Sequence, residues 1–212
     1  MRRPSGQRFS VNKAHKDLKS RGFQVSRDTL HALLSHFEDA YLVHTVPIFS
    51  QSERVIASNP RKAYAVDPGL ASALSHVTAT NLGTRLETAV FLELRRRAGR
   101  MLTGQISFYV TGQGHEIDFV VGDPFSRHAA DLIQVSASLA DASTREREVR
   151  ALTAGMHELG IRESMIVTMN ETGTLEVESG TIFIVPAWQW LSRPSDDPTS
   201  SGADGTTEGE DA

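Results

Sequence analysis

The sequence predicts a mixed α/β (α+β) fold in which helices flank a mixed β-sheet. Two observations predict it. Residues 80–192 alternate between helical and strand periodicity, in the order helix, three strands, helix, three strands. Residues 10–66 contain two helical stretches and then two short apolar stretches, which is the order of a winged helix-turn-helix. The 212 residues suit one domain of ordinary size or two small ones.

The winged-helix-like unit, with a link, is expected at residues 10–79, after a flexible segment at 1–9. Ser10 can cap a first helix that runs to Arg21, with Gly22 as its stop. Ser26 can cap a second helix. The apolar residues of that helix recur at helical spacing: Leu30, Leu33, Leu34, Phe37 and Tyr41. The stretches TVPIF and RVIA, separated by SQSE, predict a β-hairpin. In the link, Asp67 can cap a short helix that has Pro68 in its first turn.

The second half, residues 80–192, is predicted to start with a helix from about Leu82 to Ala98. Strands follow at ISFYVT, EIDFVV and DLIQV. The next helix is capped around Ser143 or Thr144 and ends at Gly160. The last strands are SMIVTM, TLEV and TIFIV. Residues 193–212 are acidic and almost free of apolar residues, so a disordered tail is expected there.

Composition excludes several classes of protein. Cysteine is absent, which excludes disulfides and thiolate zinc sites. No apolar run approaches the ~18 residues of a membrane span, and no signal segment opens the chain. These features predict a cytoplasmic protein without a membrane partner.

Positive charge is concentrated at the front of the chain, where residues 1–31 carry a net charge of +6. Four residues of the first helix are candidate nucleic-acid contacts: Lys13, Lys16, Lys19 and Arg21. The second helix instead presents Asp28, Glu38 and Asp39, a poor surface for a phosphate-lined groove. Base-specific DNA reading is therefore not expected. A solvated helix face or an acidic protein partner would explain the basic residues equally well.

Glu87 is the first candidate for chemistry. In LETAVFLELRRR it shares a helix face with Phe91 and Leu94, at i+4 and i+7. A carboxylate beside an apolar stripe needs a cation, a hydrogen-bond donor or a raised pKa. An ion pair with a nearby arginine would be the structural explanation.

Two neighbouring strands supply further polar side chains. Alternation places Ile117, Phe119 and Val121 on one face of EIDFVV, and Glu116, Asp118 and Val120 on the other. In DLIQVS, Gln134 and Ser136 share a face. If the faces align, Asp118 lies beside Gln134 and Ser136, under the helix of Glu87. Carboxylate and amide oxygens suit Mg²⁺, so Glu87, Asp118 and Gln134 are candidate metal ligands. Alternatively, Asp118 and Gln134 satisfy backbone groups.

Short motifs in a fixed order, over residues 9–192, resemble the C-terminal domain of unknown function of bacterial and archaeal AAA-type ATPases. The motifs are FSVNKAHKDLKSRG, FEDAYLV, KAYAVDPGL, LETAVFLELRRR, GHEIDFVV, LIQVSASL and TREREVRAL. The second half also resembles the PD-(D/E)XK nuclease fold, with a helical Glu, a strand Asp and then (Glu/Gln)-x-Lys. The resemblance implies a nuclease-like mixed sheet after the winged-helix-like unit.

The resemblance assigns signature positions to Glu87, Asp118 and Gln134, and implies that Ser136 stands where the nucleases have lysine. In active members that lysine positions or activates the attacking water. Losing a positioned acid–base group costs about 10²–10⁴ in rate. The chain's four lysines all precede the nuclease-like half: Lys13, Lys16, Lys19 and Lys62. An arginine would have to serve instead, and it is a poor base because it stays protonated.

These observations predict a catalytically degenerate nuclease-like module that binds nucleic acid or a protein partner. The chain has no Gly-Lys pair and hence no P-loop, so an ATPase core would be a separate partner. One alternative is an active Mg²⁺-dependent nuclease with its lysine replaced from elsewhere. Another is a winged-helix transcriptional regulator.

Overall fold

The computed structural model describes residues 8–67, 69, 82–98, 106–125 and 128–192. The acidic tail and most of the front segment expected to be flexible lie outside these residues, as does Pro68, which was predicted to lie in the first turn of a short helix. Arg8 and Phe9, at the end of that front segment, form a short strand.

Residues 8–67 form the N-terminal unit. Its elements are β1 (Arg8–Phe9), α1 (Val11–Ser20), α2 (Arg27–Asp39), β2 (Val43–Val46), α3 (Glu53–Ser58) and β3 (Arg61–Ala65). Both predicted caps are confirmed, since Ser10 accepts from the amide of Lys13 and Ser26 from the amide of Thr29. The strands form an antiparallel sheet in the order β1-β3-β2.

The predicted hairpin of TVPIF with RVIA is wrong. RVIA lies in α3, and β2 pairs instead with β3, with Val43 opposite Ala65 and Val46 opposite Lys62. Two local features explain the difference. Pro47 has no amide hydrogen and follows the last residue of β2. Ser52 caps α3 by accepting from the amide of Val55, which favours a helical turn over a strand.

The rest of the described chain forms an α/β layer structure. Its elements are α4 (Leu82–Ala98), β4 (Ile106–Val110), β5 (Glu116–Asp123), β6 (His128–Val135), α5 (Ala142–Leu159), β7 (Glu163–Thr168), β8 (Gly173–Val177), β9 (Gly180–Pro186) and α6 (Ala187–Ser192). The strands form a mixed six-stranded sheet in the order β4-β5-β6-β7-β9-β8. The β6–β7 and β7–β9 pairs are parallel and the others antiparallel. The predicted mixed sheet flanked by helices is therefore confirmed.

Helix α5 shows how local chemistry sets element ends. It starts just before the predicted caps, because Asp141 is the capping residue and accepts from the amide of Thr144 at 2.8 Å. It ends as predicted at Gly160, whose φ of 70° lies in the left-handed region that glycine tolerates.

The sheet buries a separate apolar cluster on each face. On one face, Val90 of α4 and Trp190 of α6 pack with Ile133 of β6. On the other, Leu152 of α5 packs with Leu132 of β6. The N-terminal unit joins the α4 side through apolar residues of β2 and β3, namely Val46 and Tyr64. An isolated bridge between Ile48 and Phe108 ties it to β4. The unit is thus placed over the α4 side of the sheet.

Candidate functional site

The structure buries all three predicted site residues: Glu87 on α4, Asp118 on β5 and Gln134 on β6. Their exposed fractions are 1%, 1% and 4%. The amide of Asp118 donates to Gln134 Oε1 at 3.2 Å, and the amide of Val135 donates to Asp118 Oδ2 at 3.0 Å. Asp118 and Gln134 are therefore neighbours, but through the backbone amide of Asp118 and not through a shared face. The Asp118 carboxylate binds Lys62, whereas the Gln134 side chain binds Glu148 of α5. Both residues satisfy backbone groups, which was the structural explanation for them.

A bulge in β5 aims the Asp118 carboxylate. Ser107 lies opposite Val120, whereas Tyr109 lies opposite Ile117, so β5 has one extra residue across from Phe108. The strict alternation predicted for this strand is wrong at Ile117, which packs in the α5-side cluster with Val120. Bulges of this kind redirect one side chain, and here Asp118 contacts groups on β6 and on the N-terminal unit.

Lys62, on β3, is the centre of the site. Its side chain is fully buried, and its Nζ lies 3.1 Å from Glu87 Oε1, 2.8 Å from Asp118 Oδ1 and 2.9 Å from Glu116 Oε1. The expectation that an arginine would have to replace the missing lysine is wrong. Lys62 precedes residues 80–192 in sequence but contacts Glu87 and Asp118 in space. This centre, Lys62 with Glu87, Glu116 and Asp118, is called the lysine–carboxylate centre below.

Tyr64 is the second residue of β3 that contacts the lysine–carboxylate centre. Its hydroxyl donates to Glu87 Oε1 at 2.7 Å, and its ring stacks on Phe91 with 4.4 Å between centroids. Lys62 and Tyr64 are two residues apart on one strand, so they point to the same face. The alternation in RKAYA was therefore the available signal for Lys62, because a lysine that shares a strand face with a buried aromatic residue must itself find a partner.

Burial and charge oppose each other in this centre. Burial alone would lower the pKa of Lys62, but attraction by Asp118, Glu87 and Glu116 outweighs it and holds that pKa well above its usual range. Burial, together with repulsion from Asp118, raises the pKa of Glu87 to about 7, although Lys62 and Tyr64 favour its ionised form. Glu87 Oε2 has no hydrogen-bond partner. Lys62 stays charged, and Glu87 holds a proton more readily than an exposed glutamate.

Stability should therefore fall as pH rises through the range in which Glu87 ionises. The pKa of Glu87 is raised from 4.5 to about 7 on folding, so between these values the folded chain binds more protons than the unfolded chain. The contribution of protonated Glu87 to the free energy of unfolding is fully present below pH 4.5 and is lost as the pH passes 7. Glu87→Gln should remove this slope, which urea unfolding of both proteins at acidic and at mildly alkaline pH would measure. A wild-type chain that gains stability relative to Glu87→Gln as pH rises would contradict the raised pKa.

Arg8 covers the outer side of the centre. Glu116 is the exposed member, with 26% of its side chain accessible, and Arg8 Nε donates to Glu116 Oε2 at 2.9 Å. Arg8 belongs to β1, which pairs with β3 beside Lys62. The N-terminal unit therefore supplies both the central cation and the cover.

Glu148 of α5 holds Gln134 from the other side. Gln134 Nε2 donates to Glu148 Oε2 at 2.6 Å, and Arg147 pairs with the other oxygen of Glu148. Only 3% of Glu148 is exposed. Burial raises the pKa of Glu148, although Arg147 and Gln134 oppose the shift. Both ends of the Gln134 amide are thus engaged by protein.

Ser136 lies just past β6 and is buried. Its hydroxyl donates to the carbonyl of Ser138 at 3.0 Å and its amide to that of Val167 at 3.0 Å. Within the described part of the chain, no hydrogen bond joins Ser136 to the lysine–carboxylate centre. Ser136 therefore stabilises a local turn. The cation of the lysine–carboxylate centre is instead Lys62, which lies on β3.

The donor set does not fit a divalent cation. Asp118 has one oxygen on Lys62 and the other on the amide of Val135, and Gln134 Oε1 accepts from the amide of Asp118. Glu87 Oε2 is thus the one oxygen of the three predicted ligands without a hydrogen bond. In the described ranges, no group of three or more His, Asp or Glu side chains is arranged to hold a metal ion. The Lys62 ammonium already occupies the position of a cation beside Glu87 and Asp118.

A second charged feature lies on α1. The predicted nucleic-acid contacts, Lys13, Lys16, Lys19 and Arg21, are all exposed. None of these four takes part in an ion pair between described residues. They are called the α1 basic face below. Helix α2 offers no comparable surface, because Asp28 and Asp39 are exposed on it.

None of the helices in the described ranges is both long enough and apolar enough to cross a membrane.

Comparison with known proteins gives two matches. Residues 1–81 match a family described as a domain of unknown function, DUF8612. This stretch includes the N-terminal unit and therefore Lys62 and Tyr64. An uncharacterized protein of Methanocaldococcus jannaschii, MJ1544, is 32% identical over 188 residues, which is 86% of this chain and 40% of that protein. The chain thus spans less than half the length of this relative. No solved structure matches significantly.

Proposed function

We propose that the chain is a nucleic-acid-binding module with a nuclease-like centre that does not cut. The observation that carries the proposal is the fully buried Lys62 ammonium, which lies among Glu87, Glu116 and Asp118. A divalent metal would have to displace this cation and break the backbone contacts of Asp118. Because Mg²⁺ sheds its water reluctantly, such an exchange at a buried site is unfavourable.

The binding surface in this proposal is the α1 basic face. Exposed lysines without carboxylate partners attract phosphates, and this attraction is independent of base sequence. The acidic residues on α2 disfavour insertion of that helix into a major groove, which argues against the rival function of a sequence-reading regulator.

The proposal also includes a partner ATPase, in keeping with the resemblance to C-terminal domains of AAA-type ATPases. What supports it is the length of the archaeal relative, since 60% of that protein lies outside the aligned part. A further domain fits in that remainder. Residues 1–212 contain no P-loop, so the nucleotide-binding core of this proposal lies outside them.

A nuclease assay tests the central claim. The wild-type chain, incubated with labelled single- and double-stranded DNA and RNA in Mg²⁺ or Mn²⁺, is expected to bind at low salt and leave every substrate intact. Asp118→Asn serves as the matched variant. Robust metal-dependent cleavage by the wild type that Asp118→Asn loses would overturn the proposal.

One observation favours the second candidate, an active metal-dependent nuclease. Lys62 Nζ lies 2.8 Å from Asp118 Oδ1, so a lysine does stand beside the strand carboxylate, although it comes from a different strand than in the nucleases. In that case Ser136 would be no defect, and Ser136→Lys would add no activity. Under the non-cutting proposal Ser136→Lys is also inactive, so the wild-type assay decides between the two candidates.

A further inference from the structure

Phe23 is an exposed aromatic residue at the end of the α1 basic face. The amide of Phe23 donates to the carbonyl of Leu18 and that of Gly22 to the carbonyl of Lys19, both at 3.0 Å. This pair of bonds is the Schellman motif, and Gly22 adopts the left-handed conformation it requires, with φ of 89°. The helix end thus fixes the backbone at Phe23, and 60% of this residue is exposed.

Three cationic residues lie within four residues of Phe23 in the sequence. Lys19 and Arg21 precede it, and Arg27 starts α2 just after it; all three are exposed. None of them forms an ion pair with a described residue. An exposed aromatic ring with unpaired cations near it in sequence is the combination that binds single-stranded nucleic acid, because bases stack on the ring and phosphates pair with the cations.

We propose that Phe23 is a stacking platform, and that the α1 basic face binds single-stranded nucleic acid in preference to duplex. The inference rests on the proposed nucleic-acid binding and specifies the kind of nucleic acid. Unpaired bases present their faces to an aromatic ring, whereas a duplex keeps those faces stacked inside the helix. Phosphates of the same strand then reach Lys19, Lys16 and Lys13 along α1.

The competing geometry is a duplex read by α2. That helix would bring Asp28 and Asp39, both exposed, to the phosphates, and their repulsion opposes it. The charge distribution therefore places the nucleic acid along α1 and the turn after it, where Phe23 lies.

The test compares a labelled oligothymidylate with a duplex of equal length, by fluorescence anisotropy at low salt. Phe23→Leu keeps apolar bulk at the Schellman position and removes the aromatic face. It is expected to weaken single-strand binding about 10-fold and to leave duplex binding unchanged. Phe23→Trp should retain single-strand affinity, because it keeps a stacking surface.

Phe37→Leu is the matched control, since Phe37 is also exposed, at 46%, but lies near the far end of α2. It should bind both probes like the wild type. Unchanged single-strand affinity in Phe23→Leu would overturn the stacking proposal. If substitution of the α1 lysines still abolished binding in that case, the proposed nucleic-acid binding by the α1 basic face would be retained. Equal weakening on both probes would also reject single-strand preference, and a wild type that binds neither probe would remove both proposals.

Discussion

Lys62→Met should lower the free energy of unfolding by about 3–5 kcal/mol, because it leaves buried carboxylates without their cation. Methionine nearly matches the length of the lysine stem, so the expected cost comes from charge and not from lost volume. Glu87 and Asp118 would then repel each other with only 1% of each exposed. Urea unfolding at neutral pH measures the loss, which should shrink at acidic pH as the carboxylates take up protons.

Two variants control this result. Lys16→Met makes the same substitution at an exposed lysine of α1 and should change stability by less than about 0.5 kcal/mol. The double variant Lys62→Met with Glu87→Gln removes one of the repelling charges and should recover part of the loss. A loss below about 1 kcal/mol in Lys62→Met would mean that water, and not Lys62, balances the carboxylates.

Most of the sheet was predictable because its strands follow simple periodicity. Stretches such as SMIVTM and TIFIV are apolar runs bounded by polar or glycine-containing turns, and each forms a strand where expected. The N-terminal hairpin was not predictable in this way, since RVIA is equally apolar but follows a capping serine, Ser52. For so short a stretch, capping and pairing decide the outcome, and pairing depends on a distant segment.

The candidate site was predictable in part for a related reason. Helical and strand periodicity placed Glu87, Asp118 and Gln134 on buried positions of regular elements, but it did not give the contacts of Gln134 with Glu148 of α5. Lys62 was missed because its partners are 25 and 56 residues away in sequence, and only tertiary packing brings them together. The bulge at Asp118 was missed as well, since an extra residue in one strand depends on its partner strand.

The origin of Lys62 has a physical consequence for the whole molecule. The cation of the lysine–carboxylate centre comes from the N-terminal unit, whereas Glu87 and Asp118 lie on α4 and β5. Removing that unit would expose Glu87 and Asp118 without a cation. Both cations that contact the centre, Lys62 and Arg8, come from the N-terminal unit. The carboxylates therefore keep their cations only when the N-terminal unit is packed correctly against the sheet.

Changing Lys13, Lys16 and Lys19 together to glutamine should abolish detectable nucleic-acid binding. All three are exposed on α1, so the substitution removes positive charge from the α1 basic face without opening the core. Each phosphate contact contributes about 0.7–0.9 to the slope of log affinity against log salt, so any residual binding should show a slope smaller by about 2–3. Anisotropy titrations of one oligonucleotide at several salt concentrations give both quantities.

A matched variant separates this local effect from overall charge. Replacing Arg95, Arg96 and Arg150 by glutamine removes the same charge from exposed positions on α4 and α5. Binding in that variant should fall by less than about threefold, because these positions lie outside α1 and screening limits their reach to about 10 Å at moderate salt. If the lysine variant bound as tightly as the wild type, or if both triple variants lost binding equally, α1 would not be the contact surface. The function would then rest on a protein partner of the N-terminal unit.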